Sequence, residues 1–203
     1  AGLIFADSFV FYAFTYAIVD SREELREYEG LMTAGHALLH LVAAQAISRL
    51  KPAAIDVVRV LTVLIVVFVT IAIPVQFDGN AVTLVWTVEA AALFWYGRKN
   101  SVPLFERFSY PLMVLATCSL LADWIESAVH SLAQRPLVNG DFVTAVVFVA
   151  ACAFIYYVNQ KTENGSALGR TVVEVIRFAV AIVGLLALYN AFRLEIGNYF
   201  HLA

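Results

Sequence analysis

Eight ionisable side chains fall inside long apolar runs of this chain: Asp7, His36, His40, Arg59, Glu89, Asp123, Glu174 and Arg177. In hydrocarbon such a group must be paired, neutralised or bathed in cavity water, which makes each a functional candidate. Glu89 is the sharpest of them. It shares a helical face with Trp86, Leu93 and Tyr96. At 1.5 Å per residue it lies roughly 13 Å inside its segment, near the centre of a bilayer. A carboxyl at that depth either keeps its proton and bonds a neighbouring helix or serves as an acid–base group. Its expected partner is His40. His36 and His40 have the i, i+4 spacing of a helical metal pair, but neither an H-E-x-x-H glutamate nor a third ligand accompanies them, so no metal or other cofactor is expected. Arg59, one turn inside its segment, either snorkels to the headgroups or forms an internal ion pair. Glu174 and Arg177, three residues apart, read as a local pair at a helix entrance. Asp78 stands in the Asp78-Gly79 turn, and Asp123 heads a stripe with Glu126 and His130.

What must position these groups is a stack of membrane-length helices. The hydrophobic fraction is 62% and the charged fraction 14%, against roughly 45–50% and 25% in soluble domains. The fold class is therefore an all-α polytopic transmembrane helix bundle, read as one domain over residues 1–203 with about seven spans. The spans are placed at 3–19, 30–50, 55–73, 80–97, 110–126, 142–158 and 171–192. Pro74 is expected to close the third, because proline removes a backbone donor. Asn80 is expected to cap the fourth. The second span, with His36, His40 and Gln45, should turn its polar side inward and leave Leu38 and Val42 at the periphery. Cys118 and Cys152 lie in apolar segments without C-x-x-C spacing and read as ordinary buried small residues. The net charge of −3 and the lack of a basic block argue against nucleic acid as a partner, leaving the lipid bilayer. The first segment lacks a basic n-region and a cleavage site, so it reads as a span. The chain starts at Ala1 without methionine, which suggests an excerpt of a longer protein.

Loop charges set the orientation. Arg49, Lys51, Arg98, Lys99, Arg107, Lys161 and Arg170 fall on one side, and they outnumber Arg22, Arg26, Arg135 and Arg193 on the other. The first set is assigned to the cytoplasm. Asp78, Asp123, Glu126, His130, Asn139 and Asp141 then gather at the outer mouth, which suggests a polar outward-facing cavity floored by Trp86 and Glu89.

The run Ile73-Pro74, Phe77, Gly79, then Trp86-Thr87-Val88-Glu89-Ala90-Ala91-Ala92-Leu93 and Gly97-Arg98 resembles the large bacterial multi-spanning proteins described as predicted membrane proteins with a domain of unknown function. A looser likeness continues through Pro136-Leu137-Val138-Asn139 and the segment after Phe142 to Phe192-Arg193 and Glu195. Gly140-Asp141 departs from it, standing where a basic or polar residue is usual. The resemblance implies a longer chain in the bacterial cytoplasmic (inner) membrane and carries no activity or catalytic residue.

Two function classes follow, with a third beside them. One is a transport or cell-envelope assembly component, in which buried charges line a path or hold helices together. The other is a membrane-embedded transferase on lipid-linked sugars, with Glu89, Asp78 or Asp123 as an outward-facing base. The first is preferred, because no phosphate-binding loop, nucleophile elbow or zinc signature is present and no substantial polar loop accompanies the spans. The third is a scaffold whose partners are the rest of a longer chain or other membrane subunits.

Overall fold

Where water is absent, a backbone satisfies its own polar groups most simply as a helix, and each apolar run is one helix in the computed structural model. It describes residues 2–51, 53–130, 138–162 and 169–202. The order is α1 (Gly2–Asp20), a 3-10 helix (Glu23–Tyr28), α2 (Glu29–Leu50), α3 (Ile55–Gln76), α4 (Asn80–Lys99), α5 (Pro103–His130), α6 (Gly140–Lys161) and α7 (Arg170–Leu202). Six are long and apolar enough to cross a membrane, and α4 is the exception. Pro52, Arg135 and Pro136 lie outside the described residues, as do the side chain of His130 and most of the polar turn before Gly169.

Several helix ends differ from the sequence reading, and the largest extension is that of α7, which continues to Leu202 and not 192. Pro74 sits inside α3, which continues to Gln76. Only the bond from the proline nitrogen to the carbonyl four residues back is lost, and this near the terminus the remaining turns tolerate that loss. Likewise α5 begins at Pro103 and carries Pro111 internally. Proline suits the first helical position, where no amide donor is needed. The residue capping α4 is Gly79, at φ 55°, and not Asn80. A positive φ is open to glycine at no steric cost, and it frees the Asn80 side chain for another task.

The chain divides into two compact units at the Asp78-Gly79 turn. In the first, α2 and α3 pair antiparallel around Ala37, Ala44, Leu61, Leu64 and Phe68. Gly30 makes this close approach possible, since a Cβ there would collide with Gln76. No residue of α1 is buried, and it lies against α2 through a seam of hydroxyls. Tyr16 donates to Glu29 at 2.9 Å, Tyr12 bonds Thr33 at 3.1 Å, Thr15 meets His36 at 3.3 Å, and Ser8 meets His40 at 3.0 Å.

In the second unit, α4 packs against both α5 and α6, and α6 packs against α7. Ala116, Leu120, Trp124, Ala145, Phe148, Ala187 and Ala191 form one apolar cluster. Phe94, Ile155, Val158 and Val180 form another. Protein neighbours cover two sides of α4, the least apolar of the seven described α-helices. The outer surface, with Val114, Ile125, Phe178 and Leu185 exposed, is the apolar exterior that lipid requires.

Candidate functional site

The second unit carries two layers of bonded polar side chains, one buried at one end and one partly buried at the other. At the first, Arg98 and Glu106 have side chains only 0% and 1% exposed and form an ion pair at 2.8 Å. Arg98 also donates to Asn159 Oδ1 at 2.6 Å and to the Thr162 carbonyl at 3.1 Å, and its guanidinium lies 5.1 Å from the centre of the Phe94 ring. Tyr110 donates to Glu106 at 2.8 Å, and Asn159 donates to the Val173 carbonyl at 2.8 Å. One guanidinium therefore ties α4, α5, α6 and the start of α7 together. Gly97 lets the helices come this close: a Cβ there would stand 2.5 Å from the Glu106 nitrogen.

At the opposite end, Asn80 donates to one oxygen of Asp141 at 2.8 Å, and the Ser127 hydroxyl donates to the other. Gly140 leaves room for the Asn80 amide, since a Cβ at Gly140 would lie 2.6 Å from its nitrogen. Asn139 accepts from the Phe142 amide at 2.7 Å, capping α6, and donates to Glu195 at 2.6 Å. One turn deeper, Thr83 donates to Asp123 at 2.6 Å and touches the Ser119 hydroxyl. From Asn80 to Arg98 the helix rises roughly 27 Å, close to the thickness of a bilayer's hydrocarbon core. The two layers thus sit at the two ends of α4.

Between them the four helices line a partly open cavity of about 340 Å³. Thr87 and Ala90 of α4 line it, with Met113 of α5, Phe148 and Cys152 of α6 and Val180 of α7 among its other walls. The sequence suggested a polar cavity floored by Trp86 and Glu89. In the second unit this space is apolar, and neither residue lines it, because the face of α4 turned to it carries Thr87 and Ala90. Trp86 packs against the apolar cluster around Leu120. Glu89 is half-buried in a shallow recess beside Ala92, Leu93, Trp95, Tyr96 and Phe105.

The other candidates are dispersed. In the first unit His36 is buried and turned inward, met by the half-buried Thr15 hydroxyl, while Leu38 and Val42 are exposed as expected; Gln45 is exposed too, against expectation. Both Nδ1 atoms face main-chain carbonyls, His36 that of Met32 and His40 that of His36. With Ser8 on its other nitrogen, His40 bonds within its own unit. Arg59 forms an exposed pair with Asp56 at 3.1 Å, and Asp78 and Asp7 are exposed. Glu174 is exposed and Arg177 half-buried, and among the described residues their side chains do not bond to each other. Cys118 is exposed on α5, not buried, because its face of the helix points out of the bundle. Arg98, which the sequence placed in a basic loop, is the most enclosed charge of the second unit, and Glu106 was not singled out at all. The signal was Gly97, a close-contact residue directly before the arginine, together with Asn159 at the end of an apolar run.

No curated protein and no solved structure matches the chain. The model of the family described as "Predicted membrane protein (DUF2339)" matches residues 1–203, and the chain belongs to that family of membrane proteins.

Proposed function

We propose that the protein is a transport or envelope-assembly component of the bacterial cytoplasmic membrane, and that its second unit handles a lipid-soluble molecule. The cavity carries this reading. Protein interiors are close-packed, with few voids larger than a water molecule, yet here about 340 Å³ stays open between helices that polar layers fasten at both ends. Asp123 and Asp141 already accept hydrogen bonds from Thr83, Asn80 and Ser127. That favours a carrier or assembly role over a transferase using an outward-facing carboxylate base. A strain lacking the protein should admit more of a hydrophobic fluorescent dye through its envelope. Wild type should restore the barrier, and Ala151→Leu, which fills the cavity wall, should not. An unchanged barrier and unchanged lipid composition in the deletion strain would contradict the reading.

The orientation is part of the proposal: the Asp78 turn outside, Lys99 and Arg107 inside. In a background with both native cysteines replaced by alanine, Asp78→Cys should react with an impermeant maleimide in intact spheroplasts. Lys99→Cys should react only after permeabilisation. Labelling of both from one side would show that α4 does not cross.

A further inference from the structure

We infer that the cavity of the second unit binds a neutral, single-chain lipid carrying one hydrogen-bonding oxygen, which the Thr87 hydroxyl engages. This rests on the reading that the unit handles a lipid-soluble molecule and narrows it to a chemical class. Thr87 is only 4% exposed, it lines the cavity, and its hydroxyl has no hydrogen-bond partner. Thr117, also on the cavity wall, donates to the Met113 carbonyl at 2.7 Å, and Thr144 of α6, whose buried hydroxyl is likewise unbonded, does not line the cavity. A buried hydroxyl left unbonded in apolar surroundings is costly, so the unmet capacity of Thr87 points to a polar atom of whatever fills the space.

The surroundings narrow the choice. A water molecule needs two to four polar partners. The Tyr110 hydroxyl gives its proton to Glu106 and that of Thr117 to a backbone carbonyl, which leaves Thr87 as the hydroxyl on the wall with a proton still to donate. A charged head would meet no counter-ion on walls of Ala90, Met113, Phe148 and Val180. A slender apolar body with one oxygen satisfies both constraints. An engineered cavity of about 150 Å³ takes up benzene, so this one has room for roughly a dozen carbon atoms.

The route of entry indicates the source. Val114, Cys118 and Ala179 line the cavity and are also exposed on the outer surface of α5 and α7. The space therefore opens sideways, and Thr87 lies roughly 10 Å along α4 from Asn80. At that depth the bilayer itself is the reservoir.

The test uses purified protein in detergent, with 1-dodecanol and n-dodecane as probes and the tryptophan-detected unfolding midpoint as readout. Dodecanol should raise the wild-type midpoint saturably, and Thr87→Ser should respond at the same concentration. Thr87→Val, which keeps the shape and loses the hydroxyl, should need about five-fold more dodecanol while its response to dodecane matches wild type. Ala151→Leu should lose the saturable response to both probes. If it does not fold, as judged by circular dichroism, Cys152→Leu takes its place. Equal half-saturation in Thr87→Val and wild type would overturn the role of Thr87. A saturable response in the filled variant would overturn the site itself. Neither result bears on the dye-barrier phenotype, so failure of the ligand class and failure of the functional reading are distinguishable.

Discussion

Replacing Arg98 with methionine should cost the protein about 3–5 kcal/mol of stability, the range found when one member of a buried ion pair is removed. Methionine fills much of the same volume, so the loss would be electrostatic. The Glu106 carboxyl, its side chain 1% exposed, would lose its counter-charge and keep only the Tyr110 hydroxyl among the bonds described above. Asn159 would lose its donor as well. The expected result is a large fall in the detergent unfolding midpoint, concentrated in α4 to α7. Arg98→Lys should recover only part of it, because an ammonium cannot reproduce the planar fork that reaches Glu106, Asn159 and the Thr162 carbonyl together.

Gly97→Leu should be the second most damaging change. Its Cβ would stand 2.5 Å from the Glu106 nitrogen and 3.0 Å from the Glu106 Cα, and backbone atoms inside a helix cannot rotate away. The two helices must separate where the ion pair closes, at a cost of about 1–3 kcal/mol for the overpacking alone. Gly35→Ala is the control. Nothing lies within 4 Å of a Cβ at that position, so alanine should be neutral or stabilise α2 by about 0.5–1 kcal/mol. If both substitutions shift the midpoint equally, the close approach at Gly97 is not what holds α4 to α5.

The helices were legible because the bilayer fixes the length of an apolar run, and that constraint is local. The helix α4, less apolar than the rest, is bracketed by the Asp78-Gly79 turn before it and the basic residues of its last turn. The prolines misled because a rule about helix interiors was applied near helix ends, where α3 and α5 lose little by accommodating Pro74 and Pro111. The inward turn of His36 was legible from spacing. The partners of this face of α2 could have been read as well: Ser8, Tyr12 and Thr15, which meet His40, Thr33 and His36, form a hydroxyl stripe at i, i+4 and i+7 on α1. The central node was not legible. Arg98 lies next to a loop, where solvent is the default reading, and Asn159, which encloses it, is 61 residues away in sequence. The cavity was illegible for a similar reason. A void is a property of four helices at once, and no single segment records it.

The claim that polar nodes at the two ends fasten the second unit is tested most directly by a double-mutant cycle on Arg98 and Glu106, read as unfolding midpoints in one detergent. Arg98→Met and Glu106→Leu should each be strongly destabilising, since each strands a buried partner. The double variant should recover much of the loss, because replacing a buried ion pair with apolar groups of similar size is often close to neutral. The coupling should exceed about 1 kcal/mol. Losses that simply add, with no recovery in the double variant, would show that the two side chains act independently and that no buried node closes this end of the bundle.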